Sequence, residues 1–268
     1  YDSIAIVPSG YSVAALQVGE ELTVEELLKV LLVHSANDAA NVLAVHVGGS
    51  IDSFASMMNS KAQELGCKNS HFVNPSGKHE QDHYSTATDI ATIMKYCMQN
   101  PTFKSIASSK SCIIPATNKY EQRVYTNTNE LLTVDTREIE SNYYYKYAIA
   151  GKTGYTTEAK NCLVSVAKKD DLELICVVLG AGKTKNRLSA RFIETKKLYE
   201  YGFNTYTIAK LREQNAIAKH VEIDNATKET KDLDLLISKD IIVLNKIKDL
   251  NKEIEPVITL DENLSAPI

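Results

Sequence analysis

The stretch NCLVSVAKKDDLELICVVL, residues 161–179, contains two runs of apolar and β-branched residues on either side of a charged tetrad. Two such runs around a short polar turn predict an antiparallel β-hairpin. Helix-type periodicity lies before the hairpin, over residues 23–98, and after it, over Leu188–Tyr201, with Gly202 as the expected helix end. The order of helices, a hairpin and a further helix predicts an α+β fold in which helices pack on an antiparallel sheet.

The sequence before the hairpin predicts four helices. Thr23 followed by Glu26 is a capping-box pattern that begins the first of them. The predictions are two helices within residues 23–47 that a polar break at 34–38 separates, a helix over 51–65, a loop over 67–86 and a helix over 87–98. Between residues 103 and 150 we expect short strand-like pieces, including a strand over Tyr143–Tyr147 with one aromatic face buried.

The pattern of apolar residues changes after about residue 204, where helical periodicity weakens. Short β-branched stretches alternate with charged turns from there on, which predicts a second, β-rich module. These stretches are Ile217–Ile223, Asp240–Leu244 and Ile254–Leu260.

The composition excludes several classes of protein. The chain has 268 residues, 44% of them hydrophobic and 24% charged, as in a globular protein with a sizeable core. A net charge of −4 without a long basic run does not favour a nucleic-acid partner. The longest apolar block, Leu27–Val33, is too short to span a membrane. Five cysteines without a C-x-x-C pair, and histidines without metal-ligand spacing, indicate neither disulfides nor a metal site.

The polar break between the first two helices holds the first candidate site. Ser35-Ala36-Asn37 places a hydroxyl and an amide two residues apart in a tight turn, where both could point into a cleft. A purely structural alternative stays open. Ser35 with Asp38 three residues later is also an acceptable N-cap for the second helix.

The second candidate site is Gly151-Lys152-Thr153-Gly154, just before the hairpin. On an edge strand, Lys152 and Thr153 would offer a fixed positive charge and a hydroxyl to a substrate carboxylate, and Gly154 would let a substrate backbone approach closely. A K-T-G triplet alone is weak evidence, since it is also an ordinary turn with one solvated lysine. S-x-N and K-T-G in this order are two of the three motifs of serine acyl-transfer sites in penicillin-recognising enzymes.

Four stretches extend the similarity to a particular family. VHSANDAA at 33–40, YSTATDIA at 84–91, NTNELL at 127–132 and GKTGYT at 151–156 resemble the serine D-alanyl-D-alanine carboxypeptidases, the low-molecular-mass penicillin-binding proteins. The resemblance covers residues 1–203 and implies a β-lactamase/transpeptidase-like fold. Residues 204–268 resemble, less specifically, the start of that family's β-rich C-terminal domain. We therefore expect two domains with this boundary, the first incomplete at its N-terminus and the second at its C-terminus.

The family's nucleophile motif, S-x-x-K, does not precede Ser35. The one S-x-x-K in the sequence is Ser165-Val166-Ala167-Lys168. In a strand, positions three apart face opposite sides, whereas the catalytic pair must share one face of a helix. We therefore interpret Ser165 as a chance match and expect the nucleophile upstream of residue 1, so that residues 1–268 alone would be inactive.

The resemblance implies a role for each remaining motif residue. Ser35 would relay a proton to the leaving amine, and Asn37 would orient the substrate amide. Lys152 would bias that relay and attract the terminal carboxylate.

The rest of the K-T-G strand would bind the substrate. Thr153 would hydrogen-bond its carboxylate, Gly154 would leave room for its backbone, and the backbone N–H of Tyr155 would supply half of an oxyanion hole.

The implied substrate is a peptidoglycan stem peptide ending in D-alanyl-D-alanine, with β-lactams as inhibitors and a location outside the cytoplasm. No metal or organic cofactor is expected, and any membrane association would come from segments outside residues 1–268. Two alternatives stay open. One is a serine β-lactamase on the same fold, and the other is a non-catalytic muropeptide-binding protein that keeps the cleft without the nucleophile.

Overall fold

The computed structural model describes residues 7, 9–133, 143–224, 226–227, 232–250 and 259. The chain divides into two compact units, one of residues 1–169 and 173–200, the other of residues 170–172 and 201–268. The predicted domain boundary after residue 203 stays a prediction. Within the described ranges, none of the helices is both long enough and apolar enough to cross a lipid bilayer.

Side-chain caps set the starts of most helices. Thr23 and Glu26 form the predicted reciprocal capping box, and the side chains of Ser50, Thr86 and Asn100 each accept a backbone N–H from the first turn of the helix that follows. The helices are α1 (Val24–Lys29), α2 (Asn37–Gly48), α3 (Ile51–Glu64), α4 (Ala87–Cys97), α5 (Pro101–Ala107) and α6 (Ala190–Thr205).

The described strands form four antiparallel sheets. The hairpin predicted from residues 161–179 is confirmed as the inner and one outer strand of a three-stranded sheet, in the order β3-β4-β5. The first unit holds β1 (Ser111–Ile114) paired with β2 (Arg123–Thr126), and β3 (Ala148–Thr156), β4 (Lys160–Lys169) and β5 (Leu172–Ala181). The second unit holds β6 (Tyr206–Arg212) paired with β9 (Ile241–Lys246), and β7 (Ile217–Glu222) paired with β8 (Asp232–Leu236).

Among its described residues, the first unit is held together by apolar clusters. The first joins α1, α2 and β1, and its fully buried members include Val33, Ala39 and Ile114. The second joins α4 and α5 to the sheet through Met94, Ala107, Ala150 and Val166. Burying such side chains stabilises each by about 1.5–3 kcal/mol relative to exposure. The α+β architecture expected from the sequence, with helices against an antiparallel sheet, is confirmed.

Three local predictions are wrong, and a fourth concerns residues that the structure does not describe. Helix α5 was not expected, and Gly202 lies inside α6 and does not end it. Tyr143–Tyr147 forms no strand, although Tyr143 and Tyr145 are buried and Tyr144 is exposed, as the alternation predicted. The predicted strand at 254–260 lies outside the described residues, apart from Thr259.

The sheet and the loop before it meet at Gly151, where the space for a side chain is closed. A Cβ at this position would lie 2.5 Å from Asn129 Nδ2 and 2.8 Å from the carbonyl oxygen of Val164. Both atoms are fixed, one in a buried side chain and the other in the backbone of β4.

We expect Gly151→Ala to destabilise the fold, because neither neighbour can move without breaking the sheet or the loop. Overpacking of this kind costs about 1–3 kcal/mol, which lowers the melting temperature by roughly 3–10 °C. The melting temperature is measured by thermal unfolding monitored with circular dichroism. The matched control is Gly154→Ala on the same strand, where the nearest atom to an added Cβ is Cys162 Cβ at 3.9 Å. Equal melting temperatures for the two variants would contradict this packing argument.

Candidate active site

The turn between the first two helices has an unusual backbone. Val30–His34 forms a π-helical turn, and Ser35 follows it in the left-handed region, at φ 67° and ψ 35°. Helix α2 then begins at Asn37 with Ala36 as its N-cap. The alternative in which Ser35 caps α2 is therefore wrong. Non-glycine residues in the left-handed region are uncommon and cluster at functional sites.

Ser12 fixes the orientation of Asn37. The Ser12 hydroxyl donates to the carbonyl of His34 at 2.9 Å, and the Ser12 carbonyl accepts from both the backbone N–H and the side-chain Nδ2 of Asn37, each at 2.9 Å. Asn37 Nδ2 also lies 3.3 Å from the carbonyl oxygen of Ser35. The amide nitrogen is thus held by the protein, and the amide oxygen is directed away from these contacts.

Asp38 anchors the segment that carries Ser12. This carboxylate is only 3% exposed. It accepts the backbone N–H groups of Ala14 at 2.9 Å, Leu16 at 3.1 Å and Ala39 at 2.9 Å. Hydrogen bonds to a charged acceptor contribute about 1.5–3 kcal/mol each, so a single buried side chain ties the extended segment to the start of α2.

Strand β3 brings the second motif to the first. Lys152 Nζ donates to Ser35 Oγ and, at 2.9 Å, to the carbonyl of Thr153. Within the described part of the chain, β3 is an edge strand of its sheet, as the sequence predicted. The structure therefore brings Lys152 into direct contact with Ser35, two residues before Asn37, although the two motifs lie about 115 residues apart. The site between the S-x-N turn and the K-T-G strand is here called the groove.

Thr128 bridges the two motifs and was not singled out from the sequence. Its backbone N–H donates to the carbonyl of Val33 at 3.0 Å, just before Ser35. Its hydroxyl shares a hydrogen bond of 2.6 Å with the hydroxyl of Thr153. The signal that could have found it is the NTNELL stretch, which was used for the resemblance without a role for its residues.

Positive charge is concentrated at the K-T-G end of the groove. Burial, together with the nearby Arg191 guanidinium, lowers the pKa of Lys152 to about 8. Arg191 projects from α6, lies 3.3 Å from the carbonyl of Gly154 through Nη1, and has its own pKa lowered by burial. Lys152 and Arg191 thus place two positive charges at this end of the site, with the Glu130 carboxylate acting on Arg191. Sequence reasoning missed Arg191, because a single arginine on a helix carries no local signal.

The remaining predicted site residues lie on the same strand. Thr153 is buried against Thr128, whereas Gly154 is exposed and the Tyr155 side chain is 67% exposed. The strand therefore presents open backbone beside the two cations.

Ser165 and Lys168 cannot act as a pair. Ser165 is fully buried in β4 opposite Gly151, and Lys168 is exposed. Their placement agrees with the interpretation of this S-x-x-K as a chance match.

Metal ligands do not converge in the part of the chain that the structure describes: there, no group of three or more His, Cys, Asp and Glu side chains is placed to bind an ion. The chemistry available at the groove is that of a hydroxyl, an amide, a lysine of lowered pKa and an arginine. These groups can bind a carboxylate, orient an amide and transfer a proton.

Helices packed on an antiparallel sheet, with a K-T-G edge strand facing an S-x-N turn, define the class of penicillin-recognising serine enzymes. The chain belongs to the D-alanyl-D-alanine carboxypeptidase family, whose profile matches residues 5–183.

Individual relatives agree with this assignment. The chain is 34% identical to D-alanyl-D-alanine carboxypeptidase DacF of Bacillus subtilis over an alignment of 260 residues. The alignment covers 97% of this chain and 62% of the Bacillus protein. A solved D-alanyl-D-alanine carboxypeptidase from Mycobacterium tuberculosis matches at 31% identity with a TM-score of 0.63, over 73% of this chain and 69% of the other. DacD from Francisella tularensis shares the fold over 97% of this chain and 71% of its own, at 24% identity and a TM-score of 0.71.

The lowered pKa of Lys152 predicts a pH dependence of stability. The unfolded chain holds this proton up to the ordinary value of 10.5, while the folded chain releases it at about 8. Between these values the unfolded state binds more protons, so the free energy of unfolding rises with pH. Urea unfolding from about pH 7 to 10.5 should show wild type gaining stability relative to Lys152→Met.

The control is Lys168→Met, on the exposed end of β4. We expect it to keep the same rise as wild type. A constant difference between wild type and Lys152→Met across this pH range would show that Lys152 is not desolvated.

Proposed function

We propose that the protein hydrolyses the terminal D-alanyl-D-alanine bond of peptidoglycan stem peptides through a serine acyl-enzyme. The observation that carries the proposal is the contact of Lys152 Nζ with Ser35 Oγ, which joins the S-x-N turn to the K-T-G strand. Membership of the D-alanyl-D-alanine carboxypeptidase family supports this hydrolytic reaction. The chain spans 62% of its Bacillus relative, so the activity is proposed for the whole protein.

The cationic end of the groove would hold the substrate's terminal carboxylate. Lys152 and Arg191 supply the charge there, and Thr153 supplies a hydroxyl already paired with Thr128. The backbone N–H of Tyr155 would stabilise the oxyanion that forms at the attacked carbonyl, an interaction whose loss costs about 2.7–4 kcal/mol. Asn37, held by Ser12, would bind the amide on the other side of that carbonyl.

Ser35 and Lys152 would carry the proton. The nucleophilic serine gives its hydroxyl proton to a companion base that would also lie outside residues 1–268, and its oxygen bonds to the carbonyl carbon of the penultimate residue. The C–N bond breaks, and the leaving amine needs a proton. A lysine with a pKa of about 8 can give up and recover a proton near neutral pH. Ser35, in direct contact with it, would pass that proton on. Water then hydrolyses the acyl-enzyme ester and frees the serine.

The nucleophilic serine is proposed to lie outside residues 1–268. This follows from the placement of the one S-x-x-K of the sequence in a strand, with its two side chains on opposite faces. Because the substrate is a cell-wall peptide, we propose that the protein works outside the cytoplasm, with β-lactams as inhibitors that mimic the terminal dipeptide.

In the full-length protein, Lys152→Met should reduce the rate of labelling by a fluorescent penicillin by about 100-fold or more, since it removes one preorganised charge from the groove. Gel fluorescence after timed exposure measures the rate. Lys168→Met should label like wild type. Unchanged labelling of Lys152→Met would contradict the role proposed for this lysine.

A separate experiment locates the nucleophile. Penicillin-treated full-length protein is digested and the adduct is mapped by mass spectrometry. We expect the adduct on a serine outside residues 1–268, and no adduct on the 268-residue chain alone. An adduct on Ser35 or Ser165 would overturn the proposed mechanism. Penicillin binding without any covalent adduct in the full-length protein would favour the non-catalytic binding protein.

A further inference from the structure

The connection between β5 and α6 carries a concentration of positive charge. Residues 182–191, GKTKNRLSAR, contain four cationic side chains and no acidic one, although the whole chain has a net charge of −4. One of the four, Arg191, belongs to the groove, where the Glu130 carboxylate acts on it. The other three are exposed and have no ion-pair partner within the described ranges. These three are Lys183, Lys185 and Arg187.

This connection lies at the same end of the sheet as the K-T-G motif. It starts where β5 ends, at Ala181, whose carbonyl accepts from Asn161 Nδ2 on β4 at 3.2 Å. It ends in the first turn of α6, where Arg191 Nη1 lies 3.3 Å from the carbonyl oxygen of Gly154 on β3. The connection therefore runs across the end of the sheet from β5 to β3, beside the groove.

Hydrogen bonds fold residues 183–189 into a small turn, here called the basic hairpin. The Thr184 N–H donates to the carbonyl of Leu188 at 2.9 Å, and the Leu188 N–H donates to Thr184 Oγ1 at 3.2 Å. The Arg187 N–H donates to the Thr184 carbonyl at 2.9 Å. Arg187 has φ 61°, in the left-handed region that favours glycine, and such strained positions cluster at functional sites. The hairpin is therefore formed without a ligand and holds its cations in solvent.

The neighbouring charges do not cancel those of the basic hairpin. At the same end of the sheet, the turn between β3 and β4 holds Glu158 and Lys160, which are both exposed and balance each other. In α6, Glu194 is ion-paired with Lys197 at 2.9 Å. The hairpin therefore keeps three positive charges that no printed pair neutralises, and this favours an anionic ligand.

The exposure of the three cations favours a polymer over a single ion. A solvated charge pair contributes little by itself, whereas a chain of repeated charges engages several cations at once and releases its counterions. Lysine binds phosphate as a point charge, whereas a planar carboxylate is matched best by the fork of arginine. Because two of the three cations are lysines, repeated phosphodiester groups suit the hairpin best.

The composition of the hairpin disfavours two other polyanionic partners. Segments that bind a bilayer surface carry apolar side chains beside their cations, and single-stranded nucleic acids stack their bases on aromatic side chains. Residues 183–187, KTKNR, contain neither an aliphatic hydrophobic residue nor an aromatic one. A bilayer on this face would also cover the groove, which a flexible chain leaves open.

We propose that the basic hairpin binds a linear polymer of phosphodiester groups through Lys183, Lys185 and Arg187. Binding there holds the protein with its groove beside the polymer. The contact uses none of the groups of the groove, so it does not rest on the proposed function.

The test measures binding of the full-length protein to fluorescently labelled poly(glycerol phosphate) by fluorescence anisotropy. Three phosphate contacts on a flexible single chain predict a slope of about −2 for log K against log salt concentration, or roughly a 20-fold loss of affinity between about 0.05 and 0.2 M salt. The triple variant Lys183→Gln/Lys185→Gln/Arg187→Gln should bind about 10-fold or more weakly at the lower salt concentration and lose most of the slope.

The matched control is Lys68→Gln/Lys95→Gln/Lys168→Gln. It removes the same charge from three exposed lysines, which lie after α3, in α4 and at the opposite end of β4. This variant should keep the slope of wild type. Both triple variants should melt within about 2 °C of wild type, because the substituted side chains are exposed.

Equal weakening of polymer binding in the two triple variants would show an effect of net charge alone and would overturn the proposal, as would the absence of polymer binding by wild type. Inorganic phosphate bound as tightly as the polymer would replace it with an isolated ion site. Tighter binding to phosphatidylglycerol vesicles or to oligothymidylate, at equal phosphate concentration, would assign the hairpin to a membrane or to a nucleic acid instead.

Discussion

The hydrogen bonds of Thr128 are the constraint on which the geometry of the site depends. The backbone of this residue is bound to the turn that ends in Ser35, and its hydroxyl is bound to the strand that carries Lys152. The next residue, Asn129, is fully buried, and its amide nitrogen occupies the space that a side chain at Gly151 would need. The loop can therefore shift neither along the strand nor away from it. Groups that act together from separate elements must be held within about 0.5 Å of their working geometry. This loop is hydrogen-bonded to the elements that carry both motifs.

A second constraint acts on the opposite side of the S-x-N turn, through two buried carboxylates. Asp38 holds the segment at Ala14 and Leu16. Further along, Glu20 is ion-paired with Arg123, whose guanidinium also donates to the carbonyl of Ala14 at 3.0 Å. Breaking one partner of such a buried pair typically costs about 3–5 kcal/mol. Buried carboxylates outside the groove thus hold the segment that carries Ser12, and Ser12 in turn orients Asn37.

The sequence predicted what local patterns encode. The hairpin, most helices and both motifs are short-range features, with alternation, caps and spacing visible within 20 residues. Ser35 was ambiguous, because serine is a preferred N-cap residue and nothing in its residue type predicts the left-handed backbone that it adopts after the π-helical turn. Helix α5 was missed because Asn100-Pro101 can mark a helix end as well as a helix start, and here it supplies the N-cap and first residue of α5. Thr128 and Arg191 contact residues that are far away in the sequence, and such contacts produce no pattern in the neighbouring sequence. Gly202 shows that tertiary packing can carry a helix past a residue that usually ends one.

The charges of the groove couple ligand binding to protonation. Burial and the Arg191 guanidinium together lower the pKa of Lys152 to about 8, and so the site has one cation close to losing its proton. A carboxylate placed between them reverses this effect, because an opposite charge at hydrogen-bonding distance favours the protonated lysine. Binding of an anionic ligand at this site above about pH 8 would therefore take up a proton, and its affinity would fall as pH rises further.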